Sequence, residues 1–126
     1  MNVLIDTSVW VNHFKQCNPA LIHLIQLDFA LTHPMVCLEL ACGTPPAPRL
    51  QTLHDIGLLR MATQATADEV IGLIERERLY GLGCGLVDLS LLASTLLTTN
   101  AVLWTLDKRL AQLALRFDLL YQPKLH

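Results

Sequence analysis

Four acidic residues stand where apolar runs end. Asp6 closes Met1-Asn2-Val3-Leu4-Ile5, and Glu39 lies inside Met35-Val36-Cys37-Leu38-Glu39-Leu40-Ala41. Asp88 follows Leu86-Val87, and Asp107 follows Val102-Leu103-Trp104-Thr105-Leu106. A carboxylate drawn out of water costs free energy unless a counter-charge goes with it. No Lys or Arg stands close in sequence to the first three. A shared cation supplies that charge, and an all-oxygen donor set suits Mg²⁺ or Mn²⁺. Taken singly, Asp6, Asp88 and Asp107 also read as helix N-caps. Glu39 resists that reading, because Val36, Leu38, Leu40 and Ala41 leave little room for a solvated stripe. The conjunction of all four favours the metal site.

These residues need a scaffold, and the chain supplies alternating strands and helices. A strand at Asn2–Ile5 leads to a helix capped by Thr7 or Ser8 and running to about Lys15. A second helix, Ala20 to Leu27, follows Asn18-Pro19. Phe29–Thr32 reads as a strand, and Pro34 opens a helix that carries Glu39 and stops at Gly43. A helix over Arg49–Ile56, a strand over Leu58–Ala62 and a Thr66-capped helix to Tyr80 come next. Beyond the loop Gly81-Leu82-Gly83-Cys84-Gly85, a helix runs from Asp88 to Leu97. A strand at Ala101–Trp104, a helix from Asp107 through Phe117 and an edge strand at Leu119–Tyr121 complete the pattern. Such alternation predicts an α/β fold, with a central, mostly parallel sheet of four to five strands flanked by helices. Sites in such sheets form beyond the carboxyl ends of the strands, where Asp6 and Asp107 fall.

The chain has 126 residues, of which 52% are hydrophobic, and a formal net charge of −2. That length suits one domain, residues 1–126, with a sizeable core. No apolar run is long enough to span a membrane, and Val3-Leu4-Ile5-Asp6 does not resemble a leader, so the expected location is cytoplasmic. The high apolar content predicts a partner or a homodimer. The weak acidity argues mildly against a strongly basic nucleic-acid binder, although the four carboxylates dominate it. Arg76 with Arg78, and Lys108 with Arg109, form local basic pairs or plain solvated faces. Cys17, Cys37, Cys42 and Cys84 lack paired zinc spacing and read as reduced residues in or near the core. His13, His23, His33, His54 and His126 show no ligand spacing.

Val3-Leu4-Ile5-Asp6-Thr7-Ser8-Val9-Trp10 resembles the opening motif of PIN domains. Glu39, Asp88 within Gly85-Leu86-Val87-Asp88-Leu89-Ser90-Leu91-Leu92-Ala93, and Thr105-Leu106-Asp107 resemble the remaining acidic motifs in order and separation. Over essentially the whole length the chain is similar to the VapC-type ribonuclease toxins of type II toxin–antitoxin systems. The resemblance implies a metal-dependent endoribonuclease in which Asp6, Glu39, Asp88 and Asp107 hold one or two Mg²⁺ or Mn²⁺ ions. Divalent ions activate a water and offset transition-state charge in phosphodiester hydrolysis. Thr7, Ser8 and Thr105 are expected to orient carboxylates or water, with helix capping as the rival role for Ser8.

The resemblance further implies a homodimer and a cognate antitoxin, whose groove is expected around Trp10, Phe14, Leu21 and Ile25. The chain departs from the family pattern after Asp107. Many members carry another acid two positions on, followed by an aromatic residue; here stand Arg109 and Leu110, and Arg109 becomes a candidate contact for a substrate phosphate. The segment after Asp88 also has fewer paired small residues, with only Ala93 and Ser94. A haloacid-dehalogenase-like phosphatase would need an acid at position 8, which is Ser. A receiver domain would need paired acids near the first strand. The alternative from another class is a non-catalytic PIN-like module that binds protein or RNA.

Overall fold

The computed structural model describes residues 1–124; His126, counted among the histidines above, lies outside them. Its elements run β1 (Asn2–Ile5), α1 (Thr7–Lys15), α2 (Pro19–Gln26), β2 (Ala30–Thr32), α3 (Pro34–Cys42) and α4 (Arg49–Gly57). They continue with β3 (Arg60–Met61), α5 (Ala67–Glu77), α6 (Leu86–Leu97), β4 (Ala101–Trp104) and α7 (Lys108–Arg116). The four strands form one parallel sheet in the order β3-β2-β1-β4. The fold is therefore α/β, as the alternation of elements required. Among the described residues no helix is long and apolar enough to cross a membrane.

β1 is central because its residues Val3, Leu4 and Ile5 are fully buried. Continuous apolar runs suit a parallel strand covered on both faces. β4 pairs along all of β1, from Asn2 opposite Ala101 to Ile5 opposite Trp104. The expected edge strand at Leu119–Tyr121 contracts to a single parallel bridge between Leu103 and Leu120. β3 likewise shortens to two exposed residues at the opposite edge.

α6 is the buried helix of the fold. Every residue from Leu89 to Thr95 is inaccessible, polar Ser90, Ser94 and Thr95 included. Thr95 answers its own burial by donating Oγ1–H to the Leu91 carbonyl at 2.7 Å. Helix starts differ from expectation in two places. Asp6, not Thr7 or Ser8, caps α1. Gly85 caps α6, so Asp88 sits in its first turn and is not its cap. α5 ends at Glu77, because Arg78 adopts a left-handed conformation at φ 55°.

His33 joins β2, α3 and α6. Its Nδ1 accepts the Met35 N–H at 3.1 Å and thereby caps α3. A neutral ring that accepts at Nδ1 carries its proton on Nε2, which stands 3.1 Å from Ser94 Oγ. Ser94 Oγ also accepts the Ala65 N–H at 3.0 Å. Burial lowers the His33 pKa below its ordinary 6.5. The stability this neutral ring contributes is complete above that ordinary value and is lost as pH falls toward the depressed folded value. Thermal melts across that range should show a loss of Tm on acidification that is smaller in His33→Asn, which keeps a capping acceptor without a titrating ring.

The cysteines divide otherwise than expected. Cys37 and Cys84 are half-buried, whereas Cys17 and Cys42 are exposed. Both exposed thiols sit at or just beyond helix ends, where the chain turns outward.

Candidate active site

Parallel pairing places the ends of β1 and β4 side by side, and two motifs meet there. The Asp6 N–H donates to the Trp104 carbonyl at 2.9 Å, extending the ladder to the acid itself. The Asp6 side chain is buried. Its Oδ2 accepts from Ser8 Oγ at 2.6 Å and from Thr105 Oγ1 at 2.8 Å. Ser8 Oγ in turn accepts the Leu106 N–H at 2.9 Å, and Thr105 Oγ1 accepts the Asp107 N–H at 3.0 Å. Two hydroxyls thus tie the loop after β4 to the first acid and fix the backbone that carries Asp107. Of the two roles weighed for Ser8, its hydroxyl takes the one at the carboxylate; it does not cap α1, and its backbone N–H donates instead to the Asp6 cap at 3.4 Å.

Glu39 arrives from α3. It is exposed, as is its neighbour Leu38, so this helix face is solvated, contrary to the reading of its apolar neighbours. α3 buries Val36 and Leu40 instead. Thr7 Oγ1 donates to Glu39 Oε1 at 2.6 Å, linking the start of α1 to α3.

Asp88 lies within reach of the charges of the other three acids. Its pKa is raised, first by burial, then by the charges of Asp6 and Asp107, and least by Glu39; a hydrogen bond from the Gly85 backbone opposes the rise. Asp107 caps α7, its Oδ1 accepting the Leu110 N–H at 3.0 Å, and it is exposed.

Asp6 Oδ1, Glu39 Oε2 and Asp107 Oδ2 take no hydrogen bond from protein among the described residues. The donor chemistry is all hard oxygen and fits Mg²⁺ or Mn²⁺. Among the described residues, however, no three His, Cys, Asp or Glu side chains close into a ready-made cage. Two of these carboxylates are engaged by Thr7 and by the α7 cap. An acid whose folded pKa is raised destabilises the fold once it is ionised. In EDTA at neutral pH, Asp88→Asn should therefore melt at higher temperature than wild type. Mn²⁺ should raise the wild-type Tm and move the variant less, as read by calorimetric melts.

A groove of about 470 Å³ opens beside this cluster, with Thr7 and Glu39 at one end and Val11, Phe14, Lys15 and Pro45 along it. The antitoxin contact expected at Trp10 and Leu21 is not available there. Trp10 is only 4% exposed and Leu21 is fully buried. α1 turns Val9 and Trp10 into the core, which leaves Val11 and Phe14 for the groove. A larger, mostly apolar hollow of about 710 Å³, bordered by Met1, Ala20, Leu120 and Tyr121, includes none of the four acids.

The chain is 43% identical over 108 residues to Ribonuclease VapC32 of Mycobacterium tuberculosis, from strains CDC 1551 / Oshkosh and ATCC 25618 / H37Rv. The match covers 86% of this chain and 86% of each relative. No family model matches the sequence.

Proposed function

The chain belongs to the VapC-type PIN-domain ribonuclease toxins, and from that membership we propose that it is a Mg²⁺- or Mn²⁺-dependent endoribonuclease silenced by a cognate antitoxin. Residues 1–126 act in this reading as one PIN domain, cytoplasmic and homodimeric. The observation that carries it is the junction at the carboxyl ends of β1 and β4, where Ser8 and Thr105 bind the Asp6 carboxylate and Thr105 holds the backbone of Asp107, with Glu39 tied to the start of α1 by Thr7. These four residues would hold the cation, which would supply Lewis acidity for the attacking water and counter-charge for the five-coordinate phosphorus transition state.

The protein's own groups have separable tasks. Asp6 is the anchor, since Ser8 and Thr105 fix one of its oxygens and leave the other unbonded. Thr7 steadies Glu39 in the same way. Thr105 is a positioning residue twice over, because it holds both the Asp6 carboxylate and the Asp107 backbone. Removing an outer-shell partner of a metal ligand costs about 10–100-fold in affinity or activity. Thr105→Val should fall in that range for cleavage rate, with an unchanged far-ultraviolet spectrum. Arg109, exposed two residues beyond Asp107, is the group we assign to an RNA phosphate.

The proposal is tested by incubating total bacterial RNA with purified, antitoxin-free protein in Mg²⁺, Mn²⁺ or EDTA. Discrete fragments that need the metal support it. Intact RNA in every metal would favour the non-catalytic RNA- or protein-binding module.

A further inference from the structure

Arg109 is exposed at the start of α7, two residues beyond Asp107. The salt bridges of the described residues engage Arg60, Arg76 and Arg116, and Arg109 takes part in none of them. Nor does it donate a side-chain hydrogen bond to protein among those residues. Its guanidinium nevertheless lies against the loop before α6, beside Gly83. A methyl group built on Gly83 would lie 2.6 Å from Arg109 Nη1, 2.8 Å from Cδ and 2.9 Å from Cζ. The end of the Arg109 side chain therefore lies over Gly83, in space that a Cβ there would need. Cys84, next in the loop, feels the charges of Asp88, Asp107 and Arg109 together.

An unpaired cation beside clustered carboxylates is placed for a ligand that carries negative charge to the carboxylates' cation. A guanidinium has two parallel N–H groups matched to phosphate oxygens. A side chain that already rests against backbone loses less rotamer freedom on contact.

We infer that Gly83 is a seat for Arg109, and that Arg109 so seated grips an RNA phosphate flanking the one that is cut. This rests on the ribonuclease reading above. Gly83 is a positioning residue that touches no substrate and acts only through Arg109. The loop supplies its own control. Gly81 and Gly83 both have positive φ, 72° and 87°, so an alanine at either is strained. A methyl group at Gly81 meets nothing within 4 Å, whereas at Gly83 it displaces the guanidinium.

The experiment measures binding of a fluorescein-labelled, randomised single-stranded RNA in Mg²⁺ over a salt series. All proteins carry Asp6→Asn so that the RNA stays intact. Arg109→Ala should weaken binding by about tenfold and flatten the log K against log salt slope by about 0.7, the signature of one lost single-strand phosphate contact. Gly83→Ala should reproduce much of both effects, Gly81→Ala neither, and Gly83→Ala should add nothing in the Arg109→Ala background. Melting curves should show similar destabilisation of the two glycine variants.

Equal binding by Gly83→Ala and Gly81→Ala would overturn the seat. An unchanged salt slope in Arg109→Ala, which alters only an exposed side chain, would overturn the phosphate contact. Failure of the ribonuclease reading would appear separately, as wild-type protein that leaves RNA intact in every metal.

Discussion

Asp6→Asn is expected to lower metal-dependent RNA cleavage roughly a thousandfold, the rate equivalent of about 4 kcal/mol. No other single change should cost the activity more while keeping the fold. Asp6 is buried at the junction of β1, α1 and the loop after β4, and two hydroxyls and a backbone N–H converge on its Oδ2. Asn retains one carbonyl oxygen to receive those donors, so the local network has a replacement acceptor. What Asn lacks is the negative charge that a divalent cation requires and the second anionic oxygen. The variant should therefore melt close to wild type in EDTA while losing the gain in Tm that Mn²⁺ confers. A rate within tenfold of wild type would remove Asp6 from the site.

Leu103→Ala is the change expected to cost most in stability, about 3 kcal/mol. Leu103 is fully buried in β4, opposite Leu4 of β1 in the parallel register. Its backbone also binds the C-terminal segment on the other side, accepting from the Tyr121 N–H and donating to the Leu119 carbonyl. Truncation leaves a void at the seam of the two strands whose ends deliver Asp6 and Thr105. For a chain of this size the loss corresponds to a fall in Tm of about 10 °C. Val102→Ala, at a half-buried neighbour, should cost less than half as much. Denaturant or thermal unfolding of the two variants measures the difference, and equal losses would contradict the placement of the core.

Much of this was legible in the residues. The run Asn2–Ile5 and the run Ala101–Trp104 are strands as read, because uninterrupted apolar stretches of that length suit a buried parallel strand. The α/β class followed from alternation. Features that depend on tertiary context were less legible. A short edge strand earns few pairing partners, so β3 keeps only Arg60 and Met61, and Leu119–Tyr121 contributes a single bridge. Trp10 is expected to line an antitoxin groove, yet the packing of α1 turns it inward. Local apolar neighbours suggested a buried Glu39, whereas α3 exposes Leu38, at 65%, beside it.

The candidate site was legible as a set of four acids, since each ends or interrupts an apolar run. Its wiring was not. That Ser8 and Thr105 share one oxygen of Asp6 depends on a contact spanning nearly the whole chain. The triad Thr105-Leu106-Asp107 hints at it, because a hydroxyl two residues before an acid can bond that acid's own N–H. His33 gave a weaker hint through its place before Pro34 at a helix start, and spacing alone could not reveal Ser94 as its partner.

The most direct test of the central claim is the chemistry of the ends left on cut RNA. Water attacking in line at phosphorus, with the 3′ oxygen leaving, gives 5′-phosphate and 3′-hydroxyl ends. Attack by the neighbouring 2′-hydroxyl gives a 2′,3′-cyclic phosphate and a 5′-hydroxyl and needs no divalent ion in principle. The four-carboxylate account predicts 5′-phosphate ends, formed in Mg²⁺ or Mn²⁺ and abolished by EDTA. Cyclic phosphate ends, or cleavage that persists in EDTA, would contradict it.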